Sequence, residues 1–150
     1  MDGCPLFNMT AWAALYREEH FNEEFCAKAV ALMSAQGEGV EKDDPLLKQF
    51  PELTYLRRLG FDRLNIPDVV LFLDLAPDEA MCRIDSRGEH KQVHETEEKL
   101  SRLREAYLLV CRVVEHEGRA AVRRIDGSAD LSAVTADALQ FVEQVRSHRE

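Results

Sequence analysis

Residues 69–73, Val-Val-Leu-Phe-Leu, form an uninterrupted apolar run that constrains the fold more than any other stretch. The run lacks the apolar–polar alternation of a half-exposed strand, so it predicts a buried central strand covered by helices on both faces. Asp74 follows the run, and Pro77 then begins a predicted helix that ends at Gly88. A strand followed directly by a helix is typical of an α/β fold with a short parallel sheet flanked by helices.

The predicted helix after Pro77 carries charges of opposite sign at its two ends. Asp78 and Glu79 lie in its first turn, where carboxylates complement the helix dipole. Arg83 and Arg87 are four residues apart and therefore share one face. Arginine suits a phosphate because its planar fork donates two parallel hydrogen bonds. The alternative is that both arginines are solvated and pair with the acidic residues of their own helix, which contributes little stability.

Apolar periodicity predicts helices through most of the remaining chain. Residues 8–35 are helical with a break near Asn22, which can cap the second helix, and short helices are predicted at 46–50 and 52–59. The second strand candidate, residues 120–125, contains two arginines, which places it nearer a sheet edge, parallel to residues 69–75. Two later helices are predicted from apolar stripes, Leu100, Leu103, Tyr107, Val110, Val114 and Leu131, Val134, Ala138, Phe141, Val142, Val145.

Length and charge limit the kinds of protein this chain can be. With 150 residues, 45% hydrophobic and 31% charged, it is predicted to form a single domain, 1–150. Helices occupy 1–65, and the core strand, a polar flap at 88–94 and the later helices occupy 66–150. A formal net charge of -9 argues against a nucleic-acid partner, because phosphate-backbone binding needs clustered basic residues.

The cysteines and the apolar runs indicate a cytoplasmic protein without a membrane span. The four cysteines show no CxxC spacing, which is typical of reduced thiols rather than of disulfides or a zinc site. No apolar run approaches the roughly 20 residues that a transmembrane helix needs, and no signal peptide is recognisable. His90 and His94, with Glu89 and Glu95 nearby, could be drawn as a metal site. Polar loops often collect such residues, and no metal site is predicted.

Three motifs follow one another in the second half of the sequence. The first is Asp-x-Ala-Pro-Asp-Glu-Ala from Asp74, continuing as x-Arg-Ile, Arg-Gly-Glu and a downstream glutamate. The second is Arg-Glu-Ala-Tyr ending at Tyr107, and the third is Ile-Asp-Gly-Ser at residues 125–128. Together they resemble the second half of thymidylate kinases and their nucleotide-kinase relatives, and the resemblance covers residues 66–140, about half the chain. It implies part of a three-layer, P-loop NTPase-like fold, with a helix and an arginine-bearing lid that closes over the phosphates of ATP.

The resemblance also implies roles for individual residues, with ATP and Mg²⁺ as the cofactors and a nucleotide as the partner. Arg83 and Arg87 correspond to the lid arginines and are the implied catalytic and phosphate-binding groups. In that family a loop after a strand lies beside the adenine, and its counterpart in this sequence is Asp126, Gly127 and Ser128. Asp2 is the candidate for the strand-end aspartate beside the acceptor phosphate and the magnesium. Gly3 stands where the family usually has an arginine, so the acceptor substrate is not implied.

The motif that phosphoryl transfer in this family requires is absent from these 150 residues. Such enzymes cradle the phosphates in a glycine-rich loop, GxxxxGK[ST], and the sequence contains no Gly-Lys pair. The expected function is therefore the carboxyl-terminal portion of a nucleotide kinase, transferring a phosphoryl group from ATP to a nucleoside monophosphate but inactive alone. The alternative is a catalytically silent, kinase-like binding or assembly module. An unrelated α/β interaction domain would leave the lid-like stretch unexplained.

Two strands bury little surface, so we also expect pairing with another copy or loose packing where further strands would lie.

Overall fold

A computed structural model describes residues 4–16, 21–34, 45, 55, 58–60, 64–88, 92 and 95–148. Within them the elements are, in order, α1 (Pro5–Tyr16), α2 (Glu23–Met33), β1 (Val69–Asp74), α3 (Pro77–Ser86), α4 (Glu97–His116), β2 (Ala121–Asp126) and α5 (Leu131–Ser147). This mixture of helices and strands confirms the α/β class. The predicted helices at 46–50 and 52–59 fall almost entirely outside the described residues.

The two strands lie side by side and run in the same direction. Val69 pairs with Ala121, and the register continues without interruption to the pair formed by Asp74 and Asp126. The chain between the strands passes through α3 and α4, which is the long crossover that a parallel pair requires. The predicted parallel pairing is therefore confirmed, and both strands end at the same edge of the sheet.

Helices lie on both faces of this sheet. Val70, Phe72 and Val122 pack against the main core, which α1, α2 and α4 supply. On the opposite face, Arg123 of β2 forms an ion pair with Asp137 of α5. Successive side chains of a strand point to opposite faces, so α4 and α5 lie on opposite sides of the strands.

The expectation that β1 is a buried central strand is wrong. Leu71 is 39% exposed and Leu73 is 57% exposed, whereas Ile125, the register partner of Leu73 on β2, is only 2% exposed. The physical reason is the position of α5, which packs mainly against β2 and leaves the β1 side of that face more open. Within the described part of the chain, β1 is also an edge strand, as β2 is.

The core lies where α1, α2 and α4 meet the inner face of the sheet. Its largest fully buried side chains include Leu6, Val30, Met33, Val110 and Val114. Burying each aliphatic side chain of this size contributes about 1.5–3 kcal/mol. Val110 and Val114 belong to the apolar stripe predicted from the sequence, so that stripe faces the core.

Local capping explains where the helices begin and end. Asn22 caps α2 by accepting a hydrogen bond from the backbone N–H of Phe25 at 2.9 Å, as predicted. Thr96 and Asp130 cap α4 and α5 in the same way. Gly88 has a φ of 73°, and a residue in this left-handed conformation ends the helix α3.

Candidate functional site

The carboxyl ends of β1 and β2 bring several charged side chains to one edge of the sheet. Asp74 and Asp126 end the two strands side by side, and α3 and α5 begin just beyond them. Open α/β sheets bind ligands at this edge, where loops and helix amino termini converge. Among the described residues it is the region that holds most of the sequence-predicted site residues, and we treat it as the candidate site.

Asp74 is the most heavily bonded carboxylate at this edge. Arg104 of α4 donates from Nε to Oδ1 at 2.5 Å and from Nη2 to Oδ2 at 2.9 Å. Arg124 of β2 donates from Nε to Oδ2 at 2.6 Å, and its Nη2 also contacts Oδ2. Asp74 is only 8% exposed, so its charge is compensated by two guanidinium groups rather than by water.

These two arginines control the protonation of Asp74. The hydrogen bonds from Arg104 are the main reason why the pKa of Asp74 lies below its usual value, and Arg124 lowers the pKa further. Burial raises the pKa and is the second-largest influence, smaller than the Arg104 hydrogen bonds but larger than the hydrogen bond from Arg124. Asp74 is consequently a carboxylate at neutral pH and not a candidate general acid.

Arg83 links α3 to the loop between β2 and α5. Its Nη2 donates to the carbonyl oxygen of Gly127 at 3.0 Å and to Oε1 of Glu79 at 2.7 Å. The first contact joins residues 44 positions apart in the sequence. The structure thus brings Arg83 and Gly127 together, two residues that the sequence assigned separately to the lid and to the adenine-side loop.

Gly127 occupies a position where a β-carbon would make a tight contact with the backbone of β1. Its backbone N–H donates to the carbonyl oxygen of Asp74 at 2.7 Å. A β-carbon at this position would lie 3.0 Å from that same oxygen, closer than is normal for two such atoms. The glycine therefore allows the loop after β2 to pass directly over the end of β1.

Asp126 and Ser128 stabilise the loop from within. Oδ1 of Asp126 accepts hydrogen bonds from the backbone N–H of Ser128 at 2.9 Å and from its hydroxyl at 2.6 Å. These two bonds lower the pKa of Asp126, with the Ser128 hydroxyl making the larger contribution. The predicted trio of Asp126, Gly127 and Ser128 is thus one tight turn at the sheet edge.

Arg87 binds a different partner from Arg83, although their four-residue spacing predicts that both lie on one face of the helix. Its Nη2 donates to Oε1 of Glu95 at 2.8 Å, and Glu95 is only 7% exposed. Oε2 of Glu95 accepts from the backbone N–H of Gln92 at 2.5 Å. Arg87 therefore ties the end of α3 to the segment that precedes α4.

Tyr107 does not point its hydroxyl toward this edge. The hydroxyl donates to Oδ1 of Asn8 on α1 at 2.8 Å, and the ring stacks on Phe72 with centroids 6.0 Å apart. Burial raises the pKa of the hydroxyl above its ordinary value. Tyr107 thus connects α1, α4 and β1 as a structural residue.

Asp2, His90, His94 and Glu89 lie outside the described residues. Among those that are described, no three histidine, cysteine, aspartate or glutamate side chains come together as a metal site. In the same part of the chain, no helix combines the length and apolar character that crossing a membrane requires.

Arg104 and Arg124 are the two site residues that the sequence analysis did not assign. Arg104 is the first residue of the Arg-Glu-Ala-Tyr motif that ends at Tyr107. Arg124 is the register partner of Phe72, two residues before Asp74. In a parallel pair this register places its side chain on the same face as that of Asp74, which is the signal that could have identified it.

Comparison of the chain with protein-family models, with curated proteins and with solved structures gave no match. The function must therefore be argued from the site itself.

Proposed function

We propose that this chain is the lid-bearing, carboxyl-terminal portion of a nucleotide kinase resembling thymidylate kinase. In this proposal its two strands belong to a larger three-layer, P-loop NTPase-like fold. A phosphate loop from outside these 150 residues completes the site, with ATP, Mg²⁺ and a nucleoside monophosphate as the bound species. The observation that carries the proposal is the hydrogen bond between Arg83 and the carbonyl of Gly127.

This contact matters because it connects two elements that a bound nucleotide would have to touch at once. Arg83 lies on α3, the helix that leads into the lid-like segment, and Gly127 lies in the turn at the carboxyl ends of the strands. A nucleotide seated on that turn would place its phosphates within the reach of a long arginine side chain. Arg83 is paired with Glu79 on an exposed helix surface, an interaction worth about 0–1 kcal/mol, so a phosphate can displace it readily.

The arginines would act on the charge that develops during transfer. Phosphoryl transfer depends on positioning and on electrostatic stabilisation of the phosphate oxygens, which arginine provides bidentately. Arg83 and Arg87 would do this on the transferring group. Arg104 and Arg124 would position Asp74, and with it the β1 end of the site, without touching the nucleotide.

A catalytically silent binding module is the second candidate, and one observation favours it. Arg83, Arg87, Arg104 and Arg124 each pair with a carboxylate, from Glu79, Glu95 or Asp74. Such pairing reduces the positive potential that would attract a triphosphate. A module of this type would bind a nucleotide weakly or not at all and would serve assembly instead.

Nucleotide binding to the chain and to two arginine variants tests the proposal. Titration calorimetry with ATP and Mg²⁺ is expected to show binding that Arg83→Ala weakens about tenfold, the effect of losing one charge-assisted contact. Arg123→Ala is the matched control, because Arg123 pairs with Asp137 on the opposite face of the sheet. Equal affinity of Arg83→Ala and Arg123→Ala would show that Arg83 does not contact the nucleotide and would favour the silent module. In the genome, an in-frame GxxxxGK[ST] upstream of the Met1 codon would identify the source of the phosphate loop.

A further inference from the structure

Cys4 and Cys111 line the same cavity, although they come from distant parts of the chain. Cys4 immediately precedes α1, and Cys111 lies within α4. Cys111 is a buried member of the main core, and Cys4 packs against that core. Both are free thiols in the structure. The fold therefore brings two nucleophilic groups, neither of which belongs to the candidate site, to one place between α1 and α4.

The helices α1 and α4 run in opposite directions where they meet. Leu6, near the start of α1, belongs to the same core cluster as Val110 and Val114 of α4. Ala14, near the end of α1, belongs to a second cluster with Ala106, which comes earlier in α4. Alanine side chains are small, so the axes of the two helices can lie close together. Close helices favour a disulfide, which needs Cα atoms within about 4.4–6.8 Å of each other.

The register of the two helices places Cys4 opposite Cys111. The hydroxyl of Tyr107 on α4 donates to Oδ1 of Asn8 on α1 at 2.8 Å. Cys4 lies one turn before Asn8, since the backbone N–H of Asn8 donates to the Cys4 carbonyl oxygen at 2.9 Å. Cys111 lies one turn after Tyr107, on the same face of α4. Because the helices are antiparallel, these two steps lead to neighbouring positions, and Cys4 and Cys111 form the next pair along the interface.

Different exposure gives the two cysteines different roles in an oxidation. Cys4 is partly exposed, so a small oxidant can reach its sulfur. Cys111 is only 5% exposed. Burial and, to a smaller extent, the charge of Glu115 raise the pKa of the Cys111 thiol to about 11. Oxidation begins at accessible sulfur atoms, so Cys4 reacts first and Cys111 is placed to resolve the product.

We propose that Cys4 and Cys111 are a redox-sensitive pair, which hydrogen peroxide converts to a reversible disulfide between the start of α1 and α4. Sγ of Cys4 attacks one peroxide oxygen, the O–O bond breaks, and water leaves with the thiol proton. Sγ of Cys111 then attacks the resulting sulfenic acid, and the departing hydroxide takes the Cys111 proton as a second water. Two thiols are thus oxidised to one disulfide, and one peroxide is reduced to two waters.

The proposed bond would tether α1 to α4 and make stability depend on redox state. It closes a loop that contains most of the chain, and a cross-link that closes a long loop restricts the unfolded state most strongly. Transient disulfides of this kind act as redox sensors in otherwise reducing compartments. The inference does not depend on kinase function, because it rests on the packing of α1 against α4.

Peroxide treatment of the folded protein, followed by peptide mapping, tests the proposal. Arg17, Lys28 and Arg83 separate the four cysteines into different tryptic peptides, so mass spectrometry can identify a linked pair. The peptides of Cys4 and Cys111 are expected to be joined in a product of monomer size, and dithiothreitol should separate them. The urea midpoint of the oxidised protein is expected to rise by about 1 M.

Three variants assign the chemistry to individual sulfur atoms. Cys4→Ser is expected to abolish both the link and the rise in the urea midpoint. In Cys111→Ala the resolving thiol is missing, so Cys4 should accumulate as a sulfenic acid that dimedone labels. Cys82→Ser is the matched control and should form the same link as the parent, because Cys82 is exposed on α3.

The oxidation of Cys82 also measures the dose of peroxide that the protein has received. Separate Cys4 and Cys111 peptides, at a dose that oxidises the exposed Cys82, would overturn the proposal. A link that joins a different pair would overturn it as well. So would a linked protein that unfolds at the same or a lower urea concentration than the reduced one, because the bond would then distort the packing of α1 against α4.

Discussion

Arg104 holds Asp74 with two parallel hydrogen bonds, from Nε to Oδ1 at 2.5 Å and from Nη2 to Oδ2 at 2.9 Å. The pair joins the middle of α4 to the end of β1 across 30 residues of sequence. It fixes the strand end around which the candidate site is built, and the first two predictions concern its energetics.

Arg104→Ala is expected to reduce the free energy of unfolding by about 1.5–3 kcal/mol, the range for hydrogen bonds to a charged group. Arg124 continues to bond Asp74 in this variant, which keeps the loss below that of an isolated buried charge. Urea unfolding measures the change. The control is Arg102→Ala, whose exposed pair with Glu98 one turn away should contribute less than about 1 kcal/mol. Similar losses in the two variants would show that the bidentate geometry has no special value.

Stability is expected to fall as the solution is acidified below about pH 4. The folded-state pKa of Asp74 is lower than the unfolded value, near 3.9, because Arg104 and Arg124 favour the carboxylate. The stabilisation is therefore complete above the unfolded pKa and is lost as the pH falls through the folded pKa. Urea unfolding at pH values between 3 and 6 should show a smaller pH dependence for Asp74→Asn than for the parent. An unchanged slope in Asp74→Asn would assign the acid sensitivity to other carboxylates, such as Asp126 and Asp130.

Gly127→Ala is expected to destabilise the protein by about 1–3 kcal/mol, the usual cost of forcing extra atoms into a packed site. The added β-carbon would lie 3.0 Å from the Asp74 carbonyl oxygen, which is backbone and cannot rotate away. Thermal unfolding measures the loss. Ser128→Ala is the neighbouring control, since it removes only an exposed hydroxyl bond to Asp126. A Gly127→Ala protein as stable as the parent would mean that the loop shifts without cost, and the close approach would then have no role.

The register partners Leu73 and Ile125 should respond very differently to truncation. Ile125→Ala is expected to cost about 2–5 kcal/mol because Ile125 is buried, and the change leaves a cavity. Leu73→Ala should cost less than about 1 kcal/mol, because most of that side chain is exposed already. Urea unfolding of both variants tests whether α5 covers β2 and leaves β1 open. Equal, large losses would place Leu73 in a packed environment and would contradict the open strand edge.

The 150-residue chain alone is expected to transfer no phosphoryl group above background. No group in its sequence replaces the glycine-rich cradle and lysine on which the reaction depends. The measurement is ADP formation from ATP, Mg²⁺ and a panel of nucleoside monophosphates. ADP formation that Arg83→Ala abolishes would show that the chain carries its own phosphate-binding device.

The sequence determined the local architecture of this protein. Asn22 and Pro77 mark helix starts, and Gly88 marks a helix end, through preferences that depend on a few neighbouring residues. The parallel pairing of the strands followed from the order of strand, helices and strand, because that order requires a crossover. The turn at Asp126 was likewise recognisable from its own residues.

The tertiary structure decided which side chains meet at the sheet edge and which remain exposed. Arg124 reaches Asp74 across 50 residues and Arg83 reaches Gly127 across 44, and no local pattern encodes such contacts. The apolar run of β1 predicted burial on both faces, yet Leu73 is exposed, because α5 packs mainly against β2 rather than β1. Apolar content shows that a strand can be buried, whereas the placement of a distant helix decides whether it is.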